Sequence, residues 1–184
     1  MRAFIAIDLD PEIKSALAAL VHGLKATRAD VRWVGFGGMH LTLKFLGPIE
    51  ESRALRVRGI MDEVGRRHAP LSLRLEGTGA FPSDRAPRVL WAGVAAEPGL
   101  LALQEDLDAA LEADGFERER RAFTPHLTLG RVKGPDGLAR AMAELGAHRG
   151  DAFGAMTVRK LALFESLLRP EGAEYRIVHE AGLT

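Results

Sequence analysis

Residues 40–47 read HLTLKFLG, and residues 126–132 read HLTLGRV. Two of only six histidines head the same tetrad, His-Leu-Thr-Leu. Both runs alternate polar and apolar residues, the period of a strand with one buried face. On such a strand His40 and Thr42 share a face, about 6–7 Å apart, as do His126 and Thr128. Leu41, Leu43 and Phe45 then point the other way, toward a core, as do Leu127 and Leu129. Strict alternation sends Lys44 to the His40 face. It sends Arg131 to the Leu127 face unless the strand bends at Gly130.

The surroundings of the two tetrads repeat as well. His40 lies 38 residues after Arg2, and His126 lies 38 residues after Arg88. RAFIAIDL (2–9) is a short apolar run that predicts a buried strand. Asp10 and Pro11 then mark a helix start, and Ile13, Leu17, Leu20, Val21 and Leu24 form its apolar stripe. GFGG (35–38) predicts a turn before the first tetrad, and a helix is expected over about 51–68. LSLRLEGTGAF (71–81) predicts a strand with a bulge at its glycines. The order then starts again. RVLWAGV (88–94) predicts a strand, Pro98 and Gly99 introduce a helix, and FTPHLTLGRV predicts another strand. A helix follows over about 137–147, then a further strand or strand pair and a last strand. This pattern predicts an α+β chain, duplicated with pseudo-two-fold symmetry, over residues 1–184. Its strand-helix-strand units start near residues 2 and 88. Two antiparallel sheets are expected to line a central cleft, with helices outside.

Composition narrows the class. The chain is 47% hydrophobic and 27% charged, with 25 basic and 25 acidic residues. Zero net charge argues against gripping long nucleic acid through the phosphate field alone, though not against a local basic cleft. There is no cysteine, hence no disulfide framework and no thiolate metal site. No run has the length of a membrane span. A monomeric cytoplasmic protein without membrane attachment is the expectation.

A cleft floored by two imidazoles and two hydroxyls suits one chemistry well. In-line cleavage of a phosphodiester needs a base on the entering oxygen and an acid on the leaving oxygen. Histidine, with a reference pKa of about 6.5, serves either role near neutrality. Threonine hydroxyls can hold the non-bridging oxygens, where charge accumulates. No cofactor is called for, and a zinc site at His40 and His126 lacks a third ligand nearby in sequence. The residues alone leave open which histidine is acid and which is base.

Paired His-x-Thr-x motifs in a duplicated α+β chain resemble the signature of the 2H phosphoesterase superfamily. Within it the chain is most similar to the bacterial and archaeal RNA 2′,3′-cyclic phosphodiesterases, also called 2′-5′ RNA ligase-like proteins. The likeness extends over RAFIAIDL, HLTLKFLG, GTGAFP, PRVLWAGV and TPHLTLGRV. It implies hydrolysis of 2′,3′-cyclic phosphates, on RNA ends such as tRNA fragments or on nucleotides, to 2′-phosphomonoesters. It further implies that His126 activates water and His40 protonates the departing 3′ oxygen. The same residues permit joining of ends through 2′-5′ linkages. A binding module that holds a nucleotide or RNA end in the same cleft without turnover is the alternative.

Other candidate contacts are weaker. Arg131 follows the second motif, where the family pattern places an arginine, and so is a candidate for phosphate. Lys44 is a second candidate cation. Phe45 and Phe123 are candidates for stacking on a base, although the Leu41/Leu43 face argues for core packing of Phe45. ERERR (117–121) mixes signs like a solvated loop, with Arg118, Arg120 and Arg121 within reach of an RNA backbone. His22, His68, His148 and His179 stand alone in sequence and are expected to be structural or exposed.

Overall fold

A computed structural model describes all 184 residues. Strand β1 (Arg2–Asp8) opens the chain. Its alternate residues Ala3, Ile5 and Ile7 enter the main core, while Phe4 and Ala6 join Ala162 and Phe164 in a second small cluster. Burial on both faces explains why the run is apolar without alternation. Helix α1 (Pro11–Lys25) buries the stripe Ile13, Leu17, Leu20, Val21 and Leu24. Pro11 occupies its first turn, and Asp10 precedes it without a side-chain capping bond.

Strand β2 (Val31–Trp33) was not expected, because three residues are too few to express a period. GFGG forms a 3-10 turn over Phe36–Gly38. It leads into β3 (His40–Pro48), α2 (Glu51–Arg66) and β4 (Leu71–Phe81). The second half runs through β5 (Val89–Val94), α3 (Pro98–Ala113), β6 (His126–Val132) and α4 (Leu138–Ala147). The chain ends in β7 (Ala152–Val158), β8 (Lys160–Arg169) and β9 (Gly172–Gly182). The glycine bulge in β4 is present: its register with β5 shifts between Leu75 and Thr78, around Gly77 at φ 77°.

The strands form two antiparallel sheets, ordered β3-β1-β8-β9 and β2-β6-β5-β4-β7. Each sheet takes strands from both halves of the sequence. The first combines β1 and β3 with the C-terminal hairpin; the second accepts β2 and β4 beside β5, β6 and β7. Helix α2 packs on β8 and β9, while α1 packs on β7 and α4 on β4. Helix α3 touches both β3 and β4, and so spans the two sheets. Its Leu100, Leu103, Leu107 and Leu111 are fully buried, each contributing roughly 1.5–3 kcal/mol. No helix is long and apolar enough to cross a membrane.

Candidate active site

The two tetrads share a backbone irregularity that the sequence does not announce. Along β3, His40 pairs with Asp8, Leu41 with Ile7 and Thr42 with Ala6, but the next partner, Ile5, faces Lys44. Leu43 is the extra residue of a bulge. Along β6, His126 pairs with Gly93, Leu127 with Ala92 and Thr128 with Trp91, but Leu90 then faces Gly130. Leu129 is extra there. Each motif therefore bulges at its last leucine, and each bulge reverses the alternation beyond it.

That reversal corrects three expectations. Residues opposite one another in a ladder point to the same side of the sheet. Lys44 opposite core residue Ile5 thus leaves the His40 face; it is 7% exposed and ion-paired to Asp108 at 2.5 Å. Phe45 opposite Phe4 returns to the His40 face and is 54% exposed. Arg131 pairs with Val89, in step with Trp91 opposite Thr128, and so lies exposed on the face of His126 and Thr128. Phe45 and Arg131 occupy equivalent places, five residues after their histidines. Phe123 is partly buried against the main core.

Each imidazole rests on aromatic rings. His40 stacks on Phe4 and Phe164 at centroid separations of 4.7 and 4.9 Å, with Tyr175 edge-on at 5.2 Å. Burial pushes its pKa down from 6.5 to about 4; Asp8 opposes the shift, and Lys14 assists it. Lys14 is itself held by Asp8 at 2.8 Å. His126 sits edge-on to Phe81 at 4.9 Å, and Phe81 leans on Trp91 at 5.3 Å. Nδ1 of His126 lies 2.7 Å from the carbonyl oxygen of Thr124. A carbonyl only accepts, so Nδ1 carries the hydrogen and Nε2 of the neutral ring carries the lone pair.

The low pKa of His40 has a stability consequence. Between pH 6.5 and about 4 the unfolded chain protonates this histidine and the folded chain does not. The contribution of neutral His40 is complete above pH 6.5 and lost as pH falls toward 4, by about 3 kcal/mol in all. His148 runs oppositely. Its hydrogen bonds to Asp151 and Glu144 raise its pKa, so its contribution is complete below pH 6.5 and lost as pH rises through the raised value. We expect His40→Phe, which keeps the stack and cannot titrate, to flatten the stability curve between pH 4 and 6.5. Urea titrations at several pH values check this. An unchanged slope would mean that His40 protonates freely in the folded protein.

The remaining candidates divide by partner. Arg118 is ion-paired to Glu105 and Glu112 of α3, whereas Arg120 meets only the equally exposed Glu117 of its own loop. Three of the other histidines do not stand alone. His68 meets Asp106 at 2.8 Å, His179 meets Asp62 at 2.9 Å, and His148 lies between Glu144 and Asp151. No group of three or more histidines and carboxylates assembles into a potential metal site. The seats Phe4, Phe164, Tyr175 and Phe81, and the Asp8–Lys14 pair, were missed. Phe4, Ala6 and Asp8 alternate along β1, a signal that places them on one face; Tyr175 carries none.

Strands β3 and β6 touch although they belong to different sheets. His40 and Thr42 share one face of β3, and His126 and Thr128 share one face of β6.

The chain has counterparts among known proteins. Residues 11–169 match the model of the 2′-5′ RNA ligase superfamily. The RNA 2′,3′-cyclic phosphodiesterase of Methanothermobacter thermautotrophicus is 34% identical over 95% of this chain and 95% of that protein. The protein of that name from Archaeoglobus fulgidus is 34% identical over 96% of this chain and 97% of its own. A crystal structure from Thermus thermophilus superposes with TM-score 0.81 at 33% identity, covering 100% of this chain and 98% of that one. E. coli LigT complexed with 3′-AMP does so with TM-score 0.77 at 26% identity, covering 100% and 98%.

Proposed function

The chain belongs to the 2′-5′ RNA ligase superfamily, and on that premise we propose that it hydrolyses 2′,3′-cyclic phosphates at RNA ends to 2′-phosphomonoesters. One observation carries this: in both His-Leu-Thr-Leu strands histidine and threonine alternate onto one face, the next leucine bulges, and the two strands touch across the sheets. The names of the full-length relatives support the substrate class.

The tautomer of His126 favours it as the base. Its Nε2 lone pair takes a proton from water, whose oxygen attacks phosphorus while the bond to the 3′ oxygen breaks in line. His40 is the acid, delivering a proton to that oxygen. An aromatic bed keeps it neutral in the free protein. An anionic phosphate beside it favours the protonated form, so the acid is loaded as substrate arrives. Thr42 and Thr128 donate to the two non-bridging oxygens, and Arg131 balances their charge. A 5′-hydroxyl in place of water would give a 2′-5′ linkage through the same atoms.

The test is product analysis with a nucleoside 2′,3′-cyclic phosphate in excess chelator. The expected product is the 2′-phosphate alone. A 3′-phosphate product, or turnover only after a divalent metal is added, would overturn the mechanism. Binding without turnover would favour the non-catalytic module.

A further inference from the structure

We propose that Arg32 forms, beside Arg131, a second anion subsite that takes the phosphodiester on the 5′ side of the reacting nucleotide. The protein would then favour the end of an RNA chain over a free mononucleotide. This rests on the function proposed above and extends it to a residue outside both motifs.

Arg32 lies on β2, the edge strand of its sheet, directly opposite Arg131 on β6. The flanking residues Val31 and Trp33 pack against the main core, so Arg32 must point to the opposite face, that of Arg131, Thr128 and His126. This orientation is firmly set. Gly130 has no side chain, and a Cβ there would come within 2.6 Å of Val31 and 2.7 Å of Trp33. The amide of Val34 donates to the carbonyl of the bulged Leu129 at 2.9 Å, tying the end of β2 to the second motif.

The charge arrangement asks for a ligand. Like charges directly opposite on a ladder repel. Arg118 and Arg120 have acidic partners; Arg32 and Arg131 have none within ion-pair distance, and both are exposed. The reacting cyclic phosphate carries one negative charge. Its two non-bridging oxygens are already served by Thr42, Thr128 and Arg131. The second guanidinium sits one strand farther out, on the edge of the sheet, and is left for the next phosphodiester of the chain. Arginine suits that role, since it is always charged and presents a planar fork to phosphate.

Calorimetry with a nucleoside 2′-phosphate and the matching nucleoside 2′,5′-bisphosphate tests the subsite without turnover. The wild type is expected to bind the bisphosphate about tenfold more tightly, an effect of one charge-assisted contact. Arg32→Gln should erase that preference and leave the monophosphate affinity unchanged; Arg32→Lys should keep part of it. For a short oligonucleotide ending in a 2′-phosphate, Arg32→Gln should also lower the salt slope of log K by about 0.7. Equal affinities in the wild type, or equal weakening of both ligands by Arg32→Gln, would overturn the subsite. Turnover of the cyclic mononucleotide, followed in parallel, reports separately on the hydrolase itself.

Discussion

Replacing His126 by alanine lowers kcat/KM for a 2′,3′-cyclic phosphate by roughly 10²–10⁴, and replacing His40 by alanine lowers it by a similar factor. Each variant loses one proton transfer and keeps the hydroxyls and the cation that hold the phosphate. The double variant should fall little further than either single one, because base and acid act in one transition state. A cyclic substrate with sulfur in place of the 3′ oxygen separates the roles. Thiolate departs without a proton, so His40→Ala should recover most of its deficit on that substrate. His126→Ala, still lacking a base for water, should not. The reverse pattern would exchange the assignments. Near-wild-type turnover by either alanine variant, with unchanged thermal stability, would remove that histidine from the mechanism.

The tetrads and their surroundings were legible because they are local. Alternation set His40 with Thr42 and His126 with Thr128, and the glycines of β4 marked their own bulge. What alternation could not supply was the count of residues across a ladder. Leu43 and Leu129 are ordinary strand residues, and nothing in either marks it as extra; only pairing with β1 and β5 reveals the slip. Every misplaced side chain lay just beyond a bulge: Lys44 and Phe45 after Leu43, Arg131 after Leu129. The same limit hid the strand exchange. Repeats in sequence suggest lobes, but hydrogen-bond partners decide sheets, and β2 and β4 found theirs in the second half of the chain. His68 and His179 looked solitary because their carboxylates lie 38 and 117 residues away.

Lys44 shows what the first bulge does for the fold. Turned inward, it meets Asp108 of α3 at 2.5 Å, with side-chain exposures of 7% and 4%. Its ammonium also donates to the carbonyl of Glu117 at 2.6 Å, while Asp108 accepts the amide of Glu119 at 3.1 Å. One buried pair thus fastens β3, α3 and the segment leading to Thr124, whose carbonyl orients His126. Removing one partner strands the other charge in the interior. Lys44→Met should therefore destabilise the protein by about 3–5 kcal/mol, and Asp108→Leu by a similar amount. Lys44→Met/Asp108→Leu replaces both charges with apolar side chains and should recover most of that loss, because desolvation of the pair offsets much of its attraction. Denaturant titration of the three variants at pH 7 measures this. A double variant as unstable as the single ones would shift the weight to the backbone bonds at Glu117 and Glu119, which neither methionine nor leucine can replace.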